Sequence, residues 1–145
     1  MIIGDIEQAL AIQSELKLQN WSYKNFLAEI NATKSSLCWV AEDFFGRIIG
    51  YMIAQIQYDQ VELLSIMVKP SFQRRGVAFA LLKKLEKMVS LLVTHPFQGL
   101  YLEVSVLNQK ALGFYKKNGF VKMGMRKNYY AQGDHALLMV KKDVL

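Results

Sequence analysis

Apolar residues recur along this chain with two periods, and each switch of period marks a new element. From Ile6 to Leu16, the residues Ile6, Ala9, Leu10 and Leu16 keep roughly helical spacing. A second helix is predicted over "WSYKNFLAEIN", with Ser22 as its N-cap and Phe26, Leu27 and Ile30 on one side. "SLCWVAED" and "RIIGYMIAQIQY" read as two strands of a hairpin whose bend, "FFGR", turns at Gly46. "VELLSIMVKP" is a third strand, stopped by Pro70. Behind it, Val77, Leu81, Leu85, Met88, Val89 and Leu92 form the apolar stripe of a long helix. Its opposite face carries Lys83, Lys84, Glu86, Lys87 and Ser90, and His95-Pro96 closes it. "GLYLEVSV" is a strand and "NQKALGFYKKNG" a short helix, capped by Asn108 and stopped at Gly119. "FVKMGMRKNYY" and "HALLMVKKDVL" are the last strands. The order predicts one mixed α/β (α+β) domain over residues 1–145 with a strand-helix-strand crossover in its middle.

Length and composition agree with one domain. The 145 residues are 52% hydrophobic and 21% charged, enough for a real core and too apolar for disorder. The single cysteine, Cys38, forms no internal disulfide and suits a reducing, cytoplasmic compartment. "MIIGDIEQAL" has an apolar start without a basic flank, unlike a signal peptide, and no apolar run reaches the roughly 20 residues that span a bilayer. A net charge of +6 fits a protein that handles a small polyanion, a nucleic-acid binder, or simply a solvated surface. The basic residues are spread along the chain, so charge alone does not choose among these.

The stretch that carries chemistry is Gln73-Arg74-Arg75-Gly76-Val77-Ala78, between the third strand and the long helix. It is neither a Walker A loop nor the dinucleotide fingerprint. A helix start has unpaired N–H groups and a partial positive charge, Gly76 lets a ligand reach the backbone, and Arg74 and Arg75 add charge-assisted donors. Taken alone, Arg-Arg-Gly also reads as the start of an ordinary surface helix. Other residues have equally plain readings on their own. Glu103 is a solvent-facing glutamate, Tyr115 a core aromatic, Asn108 a helix cap and Cys38 packing. Neither His95 nor His135 has metal-ligand spacing, and no metal is expected.

In combination these features resemble the GCN5-related N-acetyltransferase (GNAT) superfamily, and within it the bacterial ribosomal-protein alanine N-acetyltransferases of the RimI type. The residues that carry the resemblance are the Q-x-x-G-x-A loop, Trp21-Ser22, "EVSVLN" from Glu103 to Asn108, "YKKNGF" from Tyr115 to Phe120, and "RKNYY" from Arg126 to Tyr130. The resemblance implies a mixed, mostly antiparallel sheet splayed in the middle and flanked by about four helices. It also implies acetyl-CoA as cosubstrate. Ile66, Met67 and Val68 would meet the pantetheine arm, Gln73, Arg74, Arg75, Gly76, Val77, Ala78 and Phe79 would wrap the pyrophosphate, and Asn108 would hydrogen-bond the cofactor. Glu103 takes the role of general base and Tyr115 that of general acid, with Tyr129 and Tyr130 bordering the peptide site.

The acceptor implied is a protein N-terminal amine, an alanine of a ribosomal protein, taken up by a monomer or homodimer. A lysine or small-molecule amine, a non-catalytic acetyl-CoA-binding module, and a nucleic-acid binder are the alternatives. The last lacks any recognised motif beside the basic, aromatic "RKNYY". The chain also departs from the family pattern in four places. Only Met1 to Ile3 precede the first helix where a strand is usual, Ala78 replaces a common glycine, Asn20 a common proline, and His135 separates Asp134 from Ala136.

Overall fold

Ser22 opens its helix by a reciprocal exchange. Its hydroxyl accepts from the Asn25 N–H at 3.2 Å, while the Asn25 side chain accepts from the Ser22 N–H at 2.9 Å. The computed structural model describes residues 1–18, 21–92 and 97–144. Its helices are α1 (Ile6–Glu15), α2 (Tyr23–Asn31), α3 (Val77–Leu92) and α4 (Gln109–Lys117). The strands are β1 (Ser36–Glu42), β2 (Ile48–Gln57), β3 (Gln60–Val68), β4 (Gly99–Ser105), β5 (Val121–Ala131) and β6 (Asp134–Lys141). They form one sheet in the order β1-β2-β3-β4-β6-β5, antiparallel except where β3 meets β4. The predicted α/β class and helix count hold.

Alternation along β2 explains how the sheet is covered on both sides. Met52 and Ala54 join a core with Leu81, Leu82, Leu85 and Val89 of α3 and with Leu112 and Tyr115 of α4. Tyr51 and Ile53 point the other way, into a second core with Ile6, Ala9 and Ile12 of α1 and Phe26 of α2. Both faces of β2 are therefore buried, which is why it reads as a near-continuous apolar run. Gln13 is also buried, and its amide clamps the Trp21 backbone: Nε2 donates to the Trp21 carbonyl and Oε1 accepts the Trp21 N–H.

The relation between β3 and β4 matters most for function. Their register runs from Gln60↔Gly99 to Leu63↔Leu102 and stops there. On its other edge β3 stays paired with β2, but Ala54 lies opposite Leu63 and Ile53 opposite Ser65, so Leu64 is an extra residue. Such a bulge bends its strand and sharpens the local twist. It falls directly after the last β3–β4 pair, and it turns the end of β3 away from β4. Meanwhile Glu103 to Ser105 remain paired with β6. The sheet is thus splayed between Leu64–Val68 and Glu103–Ser105.

Three expectations need correcting. Glu86, read as part of the solvated face of α3, is buried, because Lys83 and Lys141 both pair with its carboxylate, at 2.6 and 2.7 Å. Leu92, read as part of the apolar stripe, is exposed, and Leu82 takes its place in the core. The final strand ends at Lys141 instead of continuing to the C-terminus. His95-Pro96 and Asn20 lie outside the described residues. Ahead of α1 the chain makes a single 3-10 turn, Ile3–Asp5, and the Met1 ammonium donates to the Cys38 carbonyl of β1 at 2.9 Å.

Candidate active site

The turn after β3 is held from both ends. The Gln73 side chain donates to the Val68 carbonyl at 3.1 Å, and the Gln73 N–H donates to Pro70. Arg74 and Gly76 then both adopt left-handed backbone, with φ of 62° and 82°. Only glycine takes that conformation freely, so Gly76 is the residue that turns the chain into α3. The first α3 hydrogen bond runs from the Ala80 N–H to the Gly76 carbonyl. The N–H groups of Val77, Ala78 and Phe79 therefore have no helical acceptor. A Cβ built on Gly76 would meet nothing within 4 Å, so the approach to these donors is open. Arg75 stacks on Phe72, its Cζ 5.3 Å from the ring centroid. The donors, the partial positive helix end and the two guanidinium groups fit a polyphosphate.

Alternation along β4 buries Leu100, Leu102 and Val104 against α3 and α4 and sends Tyr101, Glu103 and Ser105 to the opposite face. There α1 and α2 pack against β1, β2 and β3, leaving β4, β6 and β5 with open ground. Glu103 stands on that ground at the first position beyond the last β3–β4 pair, with its side chain 18% exposed. Arg126 of β5 pairs with it, Nη2 to Oε1 at 3.2 Å. Glu62 of β3 lies opposite Tyr101 in register, hence on the same face, and its carboxyl is held above the usual range by burial and then by the Glu103 charge.

Tyr115 lies behind the sheet, packed edge-on against Phe114 and Phe120 at centroid distances of 5.4 and 5.5 Å. Burial, with a smaller push from Tyr130, raises its phenol well above the ordinary range, so it stays protonated. Tyr130 stands on β5, and its own phenol is raised by burial and then by the Glu103 charge. Asn108 caps α4, its Oδ1 accepting from the Ala111 N–H at 3.1 Å, which leaves its amide hydrogens for a ligand. Asp134 is hydrogen-bonded to the Ser105 hydroxyl, so the displaced acidic residue is tied to β4.

The splay thus gathers Glu103 with the strand residues Ile66 to Val68 on one side and leads toward the Gln73–Phe79 loop. Glu62 and the Glu103–Arg126 pair were not anticipated as part of it. A lone glutamate inside the apolar run "QVELLSIMV" was the available signal for the first. A shallow groove of about 380 Å³ lies elsewhere, lined by Leu10, Gln13, Ser14, Leu18, Trp21 and Ser22. It touches none of these groups. Among the described residues no cluster of three or more His, Cys, Asp or Glu could hold a metal ion, and no helix is long and apolar enough to cross a membrane.

Residues 6–120 match the model of the acetyltransferase (GNAT) family. The chain belongs to that family and is an N-acetyltransferase. It is 33% identical over 138 residues to the [ribosomal protein bS18]-alanine N-acetyltransferase of Salmonella typhimurium, covering 93% of this chain and 89% of the relative. It is 28% identical over 149 residues to an N-alpha-acetyltransferase of Sulfolobus acidocaldarius, covering 94% and 86%. Among solved structures, the ribosomal-protein-S18-alanine N-acetyltransferase from Escherichia coli superposes with a TM-score of 0.84 at 27% identity, covering 97% of this chain and 89% of that one.

Proposed function

We propose that this acetyltransferase moves the acetyl group of acetyl-CoA onto the α-amine of a protein N-terminus, with an alanine of the kind a ribosomal protein presents as its acceptor. The observation that carries this reading is the position of Glu103, a carboxylate on the open face at the point where β3 and β4 part. The edge of β3 that no longer meets β4, at Ile66 to Val68, offers backbone groups to an extended arm, as an added strand would use them. Gln73 to Phe79 hold the phosphates, and the Asn108 amide reaches the arm from α4.

The thioester supplies an activated acyl group. An α-amine has an ordinary pKa near ~8, so a large share arrives as ammonium and must lose a proton before it can attack. Glu103 accepts that proton, directly or through one water. N–H groups on the free edge of β3 stabilise the oxyanion that develops on the carbonyl. Tyr115 is the general acid of this reading: its hydroxyl protonates the departing thiolate and recovers its proton from water. Holding amine and thioester together in one cleft contributes much of the acceleration.

Thiol release from acetyl-CoA, followed with a chromogenic reagent, tests this on peptides with free N-terminal Ala, Ser or Met, on an N-terminally blocked lysine peptide, and on spermidine. Turnover is expected on the alanine peptide, and Glu103→Gln is expected to lower it by about 100-fold with acetyl-CoA affinity unchanged. Turnover confined to lysine or spermidine overturns the acceptor, and full activity of Glu103→Gln across the pH range removes Glu103 as base.

A further inference from the structure

The Glu103 carboxylate already holds a cation. Arg126 reaches it from β5, yet the arginine side chain is 56% exposed, while that of Glu103 is 18% exposed. The pair is therefore sheltered on the carboxylate side and loose on the arginine side. Arg126 also has a second support, since its Cζ lies 5.5 Å from the Tyr129 ring centroid. The hairpin that carries both is fixed near its turn. The Asn128 N–H donates to His135 Nδ1 at 2.9 Å, and the Gly133 N–H donates to Asn128 Oδ1 at 2.8 Å.

Other charged and titratable groups surround Glu103. From β3 comes Glu62, whose carboxyl is raised by burial and by Glu103 and lowered by Arg126. Tyr129 and Tyr130 stand on β5 with Arg126, and Asp134 and His135 on β6 are taken up by Ser105 and Asn128. Two carboxylates and one guanidinium thus share the open face beside the splay. An arriving ammonium meets a carboxylate pair already neutralised in part, and it has to compete for Glu103.

We propose that Arg126 is a positioning and specificity residue for the acceptor: its guanidinium holds the place on Glu103 that the acceptor's ammonium takes, and it withdraws along Tyr129 when the acceptor arrives. This rests on the reading of Glu103 as the group that receives the amine. One cation replaces another, so the carboxylate pair is never left bare. Acceptors that arrive uncharged, such as alcohols, have nothing to exchange and leave the ion pair closed.

The test uses the full chain loaded with coenzyme A, which cannot react, and calorimetry with two peptides: one with a free N-terminal alanine, the other its N-acetylated counterpart. Arg126→Met is expected to bind the free-amine peptide about fivefold more tightly, the equivalent of one relieved ion pair, while the acetylated peptide is unchanged. Arg126→Lys restores near-native binding. In turnover, the KM for the acceptor falls in Arg126→Met while the KM for acetyl-CoA stays constant. Equal weakening of both peptides, or no change in either, overturns the proposal and makes Arg126 a structural strut of the hairpin. Glu103→Gln, run in parallel, separates the two readings. If it keeps the preference for the free amine, the role of Glu103 itself has failed. If wild-type protein binds neither peptide, the acceptor class is rejected and this inference with it.

Discussion

The Gln73 side-chain amide donates to the Val68 carbonyl across 3.1 Å, joining the end of a splayed strand to the loop that precedes α3. One residue thereby sets the distance between the two places where a long, anionic cosubstrate would be gripped. Replacing it with leucine keeps the bulk and removes the donor. Gln73→Leu is expected to raise the Kd for acetyl-CoA about five- to tenfold, the effect of one lost hydrogen bond. The KM for the acceptor peptide stays constant. Calorimetry with coenzyme A reads the first and steady-state kinetics the second.

Gly76 faces open space, yet its φ of 82° lies where a side chain is strained. Gly76→Val therefore carries two separable penalties. Backbone strain of about 1–2 kcal/mol lowers the melting temperature of the ligand-free protein. The added methyl groups also crowd the donors at the start of α3, and acetyl-CoA affinity is expected to fall more than tenfold. Gly76→Asn, which tolerates positive φ, is expected to recover most of the stability and little of the affinity. Differential scanning calorimetry and titration separate the two effects.

Tyr115 combines a buried ring with a phenol raised above its ordinary value. Tyr115→Phe leaves the contacts with Phe114 and Phe120 in place and removes only the hydroxyl. A loss in kcat of about 100-fold, with unchanged acetyl-CoA affinity, is the expected result for a general acid. The raised phenol also has a signature in stability. The folded protein binds this proton more tightly than the unfolded chain, so stability is complete below the ordinary phenol range. It declines as the pH rises from there toward the higher folded value. The decline is expected to be shallower in Tyr115→Phe, as urea unfolding between pH 9 and pH 11 would show.

Glu86 is shared by Lys83 on its own helix and Lys141 at the end of β6, and both Glu86 and Lys141 are largely sheltered from water. Removing Lys141 leaves the sheltered Glu86 carboxylate with the more exposed Lys83 as its partner and takes away the contact to β6. Lys141→Met is expected to destabilise by about 3 kcal/mol, and the double replacement Glu86→Leu with Lys141→Met by clearly less. Denaturant midpoints at constant slope would show it. Acetyl-CoA affinity is expected to be untouched, since neither residue approaches the splay.

Elements and connectivity were legible because each depends on local pattern. Ser22 and Asn108 announce their helices through side chains that cap within three residues. Gly76 announces the loop because few residues accept the positive φ that the turn into α3 requires. The splay left no comparable trace. Leu64 bulges inside "ELLSI" without glycine or proline to mark it, and the bulge is visible only as a shift of register against β2. Long-range pairings were hidden for the same reason: Lys141 is 55 residues from Glu86, and nothing local says that a glutamate among lysines on α3 will be buried. Arg126 was legible as part of a motif, but its contact with Glu103 required the β5–β6 hairpin to pair alongside β4 in the sheet.

The parted strands have a consequence for how long this protein survives. A sheet that separates after Leu63 and Leu102 leaves two rows of backbone groups to water, in the middle of the fold instead of at its edge. A ligand that lies between them completes the sheet and adds to the folding free energy, by about 2.7 kcal/mol when its concentration is 100 times its Kd. On the proposed assignment that ligand is acetyl-CoA, the common currency of carbon metabolism. The enzyme's resistance to unfolding and proteolysis then rises and falls with the nutritional state of the cell, independently of any acceptor being present.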